Sequence, residues 1–217
     1  MARRANGSWR SFRPEAAAAA RVAATPNCRV LGLDPGSLRT GFGVIDCSAQ
    51  GERHVASGCI AVGGAGIIVR LRRIFEGILA IVDEHRPEEI AVERVFVHRN
   101  PDSALKLGQA RGAALCAAVA HGADAYEYAP RAIKLAVSGY GAADKAQVAQ
   151  MVTILLHLPV RPVGDAADAL AVALCHAQTR RLASLLTVPG HAPPARGAAH
   201  TGVRGGVRGG VRGGVRP

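Results

Sequence analysis

At 217 residues the chain is long enough for one well-cored domain and short for two. Its net charge of +11 is unevenly spread: residues 1–28 carry +4, residues 183–217 carry +5 and residues 29–182 only +2, so the basicity belongs to the ends. Five cysteines, odd in number and without CxxC spacing, exclude a disulfide framework and a cysteine-based zinc site and indicate a reducing cytosol, while the lack of any run of about eighteen apolar residues argues against a membrane span.

Residues 1–28 are arginine-rich and acid-poor, and their "AAAAARVAA" run is broken by Arg21, so they make a poor secretory segment and are expected to be a disordered extension or the product of a start placed too far upstream. The ordered pattern begins with "RVLGLD" and "GFGVID", two strands joined by a Pro-Gly-Ser turn, followed by "RHVASGCIAV" as a third. Next, Ile67, Ile68, Leu71, Ile74, Phe75, Ile78, Leu79 and Val82 recur at spacings of three and four, which predicts one long amphipathic helix ending before Pro87. The strand "EEIAVERV" follows, then an Ala- and Gly-rich helix over about 101–121, the short strand "DAYEYA", and helical segments starting near Pro130, Asp144 and Asp165. Residues 183–217 end in a strict four-residue repeat, "GVRGGVRGGVRGGVR", that sets Arg204, Arg208, Arg212 and Arg216 on a glycine chain that cannot build a core, which predicts a disordered, flexible basic tail.

Three meandering strands followed by right-handed crossovers give an α/β domain over residues 29–182, with a five-stranded mixed sheet of order 3-2-1-4-5 flanked by helices. In that arrangement the first and fourth strands are parallel neighbours about 4.8 Å apart, so Asp34 and Glu93, at their ends, emerge at one edge of the sheet. Asp165 and Asp168 share one face of the last helix, and a helix start turned toward that edge brings the acids to four. Clustered carboxylates repel one another unless a cation lies between them, and oxygen-only ligands favour Mg²⁺ or Mn²⁺. Two such ions can activate a water and steady a leaving oxygen in phosphodiester cleavage. Each piece also has a plainer reading: Asp165 after Gly164 is a good helix cap, "DPGS" is a turn, and Glu93 could pair with a base such as Arg94. Histidine is excluded from the metal site, because no HxH or HxxxH pair occurs and His176 lies about 12 Å along its helix from Asp168.

The segments "GLDPGSLRTGFGVI", "AVERVFVHRNPDSALKLGQARG", "YEYAPRAIKLAVSGYGAADKAQV" and "DAADALAVALCHA" resemble, in order and spacing, the motifs of the RuvC family of Holliday junction resolvases. The resemblance covers roughly residues 29–180 and implies a ribonuclease H-like fold, with Asp34, Glu93, Asp165 and Asp168 as the metal-binding catalytic acids. It further implies structure-specific endonuclease activity: a homodimer resolves four-way junctions by paired symmetric nicks during homologous recombination and DNA repair, using Mg²⁺, replaceable by Mn²⁺, at two ions per site. Phe96 matches an aromatic that stacks on a junction base, and Lys134 and Lys145 match lysines near the scissile phosphates. The Ala104, Gly108, Gly112 and Ala113 face matches the family's dimer contact, and a branch-migration motor of the RuvA and RuvB type is the implied partner in the cytoplasm. The chain departs from the family at "GIIVRLRR", where a Leu-Pro-x-Arg-Leu entry to the first long helix is usual. A sugar-kinase or actin-like ATPase also uses an Asp-x-Gly-Ser turn but needs two such domains. A junction-binding protein without nuclease activity would not need all four acids.

Overall fold

Side-chain alternation decides which faces of the sheet are covered. The computed structural model describes residues 27–64, 66–94 and 101–186, so the expected N-terminal extension, the Arg repeat and Phe96 lie outside the described residues. β1 (Cys28–Pro35), β2 (Arg39–Ser48) and β3 (Gly51–Ala61) form an antiparallel meander, after which β4 (Glu89–Glu93) and β5 (Asp124–Tyr128) add parallel strands to the free edge of β1. The order β3-β2-β1-β4-β5 is the expected one.

Along β1 and β4, Val30 and Ala91 enter one core with Ile45, while Leu31, Leu33, Ile90 and Val92 enter the other with Val44. This is the two-residue period of strands buried on both faces. The first core is closed by α3 (Pro130–Ser138), α4 (Lys145–Leu155) and α5 (Asp165–Leu186); the second is closed by α1 (Ile67–His85) and α2 (Pro101–Ala118). Fully buried side chains such as Ile74, Ile78, Leu170 and Leu174 anchor these layers, each burial worth about 1.5–3 kcal/mol.

α1 buries Ile74, Ile78 and Val82, one residue per turn, but leaves Ile68 69% and Phe75 38% exposed, so its apolar stripe is narrower than the sequence pattern implies. It meets α2 through Ala110, Ala114 and Ala117, whose small side chains let the two helices close over the sheet. α1 stops where Arg86 takes a left-handed conformation (φ 49°) and donates its N–H to Val82 O immediately before Pro87. α4 starts from a reciprocal capping box between Asp144 and Gln147.

Candidate active site

Strand parity puts two acids on the α5 face. Asp34 shares the side of β1 taken by Val30 and Gly32, and Glu93 the side of β4 taken by Ala91. The β1–β4 ladder runs from Val30–Glu89 to Leu33–Val92, so Asp34 and Glu93 are the next residues along two parallel neighbours, close enough for each carboxylate to act on the other.

What brings α5 down onto this edge is a row of glycines. Gly32 pairs with Gly43, and Asp34 with Gly41, across β1 and β2. A Cβ on Gly41 would stand 2.0 Å from the carbonyl oxygen of Asp165, one on Gly32 would stand 2.2 Å from that of Ala169, and one on Gly43 would stand 2.7 Å from Leu170. The first turn of α5 therefore lies against bare backbone, closer than any side-chain-bearing strand allows. That turn opens with Gly164 (φ 52°), whose carbonyl accepts from the N–H groups of Ala167 and Asp168. Gly164, rather than Asp165, thus holds the cap position, and the Asp165 carboxylate is turned to Arg39 Nε at 2.8 Å and the Cys59 thiol at 3.4 Å.

The electrostatics follow from this packing. Burial pushes the Asp34 carboxyl up to about 7, with the charges of Glu93, Asp168 and Asp165 adding to the effect. Burial and the charge of Asp168 also raise Glu93, and Lys145 and Lys134 act against that rise. Lys145 Nζ sits 2.8 Å from Asp168 Oδ2, and that contact holds the lysine above its ordinary value.

Four carboxylates with two basic side chains interleaved form an oxygen-only donor set suited to a hard divalent ion. Among the described residues no three His, Cys, Asp or Glu side chains are gathered closely enough to hold an ion as they stand. Two of the four carboxylates are paired with cations instead, Asp165 Oδ2 with Arg39 Nε and Asp168 Oδ2 with Lys145 Nζ, each at 2.8 Å. The residues fit such an ion in kind, and an ion held by Asp165 or Asp168 would compete with Arg39 or Lys145 for the carboxylate.

Comparison with known proteins places the fold in a family. The family model described as crossover junction endodeoxyribonuclease RuvC matches residues 30–176. The chain belongs to the RuvC family. A RuvC from Methylococcus capsulatus is 56% identical over 159 residues, which is 73% of this chain and 96% of that protein. The solved structure of T. thermophilus RuvC in complex with a Holliday junction substrate superposes with a TM-score of 0.68 at 36% identity, covering 72% of this chain and 97% of that one. A yeast mitochondrial Holliday junction resolvase shares the fold at TM-score 0.55 and 12% identity, over 76% of this chain and 85% of that one.

Of the residues singled out in the RuvC-like motifs, the structure brings together Asp34, Glu93, Asp165, Asp168 and Lys145, with Lys134 close enough to act on Glu93. His176 stands apart from them, as expected, and does other work. Its Nε2 is 2.5 Å from Glu89 Oε2 and its Nδ1 is 2.6 Å from the Tyr128 hydroxyl, while Arg180 pairs with the second Glu89 oxygen. Arithmetic explains the match: Asp168 to His176 spans about 12 Å of helix, and Glu93 to Glu89 spans about 13 Å of strand. Because α5 runs from the Glu93 end of β4 toward its Glu89 end, these nearly equal spans bring His176 onto Glu89 while Asp168 stays near Glu93. Sequence reasoning missed this buried cluster and the roles of Arg39 and Cys59; the equal spans were the available signal for the first, and nothing local marked the other two.

Proposed function

We infer that the chain is a crossover junction endodeoxyribonuclease, a structure-specific nuclease that resolves four-way DNA junctions by paired symmetric nicks in recombination and repair. The observation that carries this reading is the gathering of Asp34, half-buried at the end of β1, with Glu93, Asp165 and Asp168 at one edge of the sheet, close enough that their charges raise the Asp34 carboxyl. A site of this kind hydrolyses phosphodiesters by metal assistance. Asp34, Glu93, Asp165 and Asp168 are the proposed ligands of two Mg²⁺ ions, with Mn²⁺ able to replace them. When bound, such ions lower the pKa of a water and steady the departing 3′ oxygen.

The chain's own residues have separate tasks. Lys145, 82% exposed at its side chain, can leave Asp168 for a phosphate oxygen, and so frees a carboxylate as DNA arrives. Arg39, 64% exposed, can do the same for Asp165. Lys134 acts as a phosphate contact at the Glu93 side, and Phe96, outside the described residues, is assigned to base stacking on the strength of its motif. The nuclease domain is taken as residues 29–182, with residues 1–28 and 183–217 as extensions to it.

Two cuts in opposed strands call for two sites, and a homodimer supplies them. Support comes from α2, where Leu105 is 63% exposed and Gly108 and Gly112 face open space, a surface on which a second copy of the helix can approach closely. No helix among the described residues is long and apolar enough to cross a membrane, which accords with a cytoplasmic enzyme working alongside a branch-migration motor of the RuvA and RuvB type. The decisive test is a synthetic four-way junction incubated with the protein and Mg²⁺. Paired nicks at symmetric positions are expected; tight binding without nicks would replace the nuclease by a junction-binding protein.

A further inference from the structure

The turn between α3 and α4 carries an aromatic ring in water on a backbone that is tied down on both sides. Tyr140 is 63% exposed, more than any other aromatic side chain among the described residues. Before it, Gly139 closes α3 in the left-handed region (φ 71°) with its N–H on Leu135 O. The Ser138 hydroxyl lies 2.7 Å from the Lys134 carbonyl and 3.1 Å from that of Tyr140, and Ala143 N–H donates to the same Tyr140 carbonyl at 3.1 Å. After it, the Asp144 capping box starts α4 at once. A ring held this way loses little freedom when a flat ligand covers it.

The ring forms one wall of a cavity of about 770 Å³ whose lining includes Arg131, Lys134, Leu135 and Gly139 and contains no acid. That size is within the range of about 300–1,000 Å³ usual for small-ligand sites. Gly141 is part of the construction: a Cβ there would stand 2.9 Å from Arg131 Cγ and 3.2 Å from its Nε, so the glycine lets the arginine stem lie across the turn. The cavity adjoins the acid edge through the chain itself: β5 ends at Tyr128, the residue paired with Glu93, and α3, which carries Arg131 and Lys134, starts two residues later at Pro130.

We propose that this cavity is a nucleotide subsite beside the scissile phosphate, in which Tyr140 stacks on one unpaired base while Arg131 and Lys134 hold the adjoining phosphates. The assignment rests on the endonuclease reading above. It adds a selectivity: within a continuous duplex both faces of every base are covered by neighbours, so Tyr140 finds a partner only where a base has left the stack, as at a branch point. Phosphate contacts from Arg131 carry no such preference.

The test is binding by the full chain, in EDTA, to a four-way junction and to a linear duplex of the same sequence. Tyr140→Ala should weaken junction binding about ten-fold and leave duplex binding unchanged, and Tyr140→Phe should bind the junction within about two-fold of wild type. Arg131→Gln should weaken both and lower the salt slope by about 0.9 on each. Unchanged junction affinity for Tyr140→Ala, or an equal loss on the duplex, overturns the subsite, and so does a Tyr140→Phe protein as weak as Tyr140→Ala. A wild-type protein that neither prefers the junction in EDTA nor cuts it when Mg²⁺ is added overturns the endonuclease reading itself, and the subsite with it.

Discussion

Gly41 is where a single methyl group should separate folding from catalysis. Its built Cβ lies 2.0 Å from the Asp165 carbonyl oxygen, and ordinary contact begins at 3.4 Å, so Gly41→Ala has to move the start of α5 by about 1.4 Å. The obstacle is helix backbone, which cannot swing aside as a side-chain tip can. Overpacking of this kind costs about 1–3 kcal/mol, and with about 2–4 °C per kcal/mol for a domain of this size the melting temperature should fall by roughly 2–12 °C. The fold survives that loss, because the rest of α5 remains anchored by Leu170, Leu174 and the Glu89 cluster. Catalysis has less tolerance: a displacement of about 1 Å at reacting groups costs on the order of 100-fold in rate. Single-turnover cleavage of a four-way junction, at protein concentrations that saturate the DNA, should therefore slow by about two orders of magnitude while binding persists. Gly63→Ala, where nothing lies within 4 Å of the added carbon, is the control and should behave as wild type. A Gly41→Ala protein that cuts within two-fold of wild type would show that the closeness of α5 to β2 does not set the acid geometry.

Asp34→Asn, Glu93→Gln, Asp165→Asn and Asp168→Asn should each abolish or severely reduce cleavage while leaving junction binding largely intact; a variant cutting at near the wild-type rate removes its residue from the site. Asp34→Asn should also raise the melting temperature in EDTA at pH 8, because Asp34, with its folded pKa raised to about 7, weakens the fold as pH rises from about 4 through 7; a lower melting temperature at pH 8 would contradict this. At Glu89, burial pushes the carboxyl up, but hydrogen bonds from His176 and Arg180 outweigh it and hold the folded pKa below the usual carboxylate range. Its contribution to stability is thus full above about pH 4.5 and is lost as pH falls through the lower folded value. Glu89→Gln should cost about 3–5 kcal/mol at pH 7 by leaving Arg180 in a buried site without its countercharge, and should flatten the acid limb of a stability–pH curve; an unchanged limb would exclude Glu89 as its source.

Most of the fold was readable in order, because β1, β4 and α1 announce themselves by alternation and by three-four spacing, and because a parallel crossover has one hand. The adjacency of Asp34 and Glu93 followed from strand order alone. The plainer reading of Asp165 as a helix cap does not hold: Gly164 takes the cap position, its carbonyl accepting from Ala167 and Asp168, and the Asp165 carboxylate faces Arg39 instead. The glycines at 32, 41 and 43 look in the sequence like strand-weakening residues. Their purpose shows only once α5 is known to lie on them, because the contact joins residues more than 120 positions apart. Ile68 and Phe75 fit the helical period but fall at the margin of the buried stripe, which periodicity cannot trim.

The two ends of α5 carry opposite electrostatic problems, and the second offsets the first. At the start, Asp165 and Asp168 enjoy the positive end of the helix dipole, yet their charges press on the half-buried Asp34, so without an added cation the fold is strained at the proposed site. Arg39 and Lys145 relieve only part of this, because both are largely exposed and screened by water and salt. Eight to twelve residues on, the same helix delivers His176 and Arg180 to Glu89 in a site from which water is excluded, where the attraction is stronger and no ion is needed. The helix is rigid and the glycine row fixes its height, so attraction at the far end holds the near end in place against repulsion. That division lets the acid edge stay open, under-neutralised and ready for a divalent ion, without the fold depending on the ion being there.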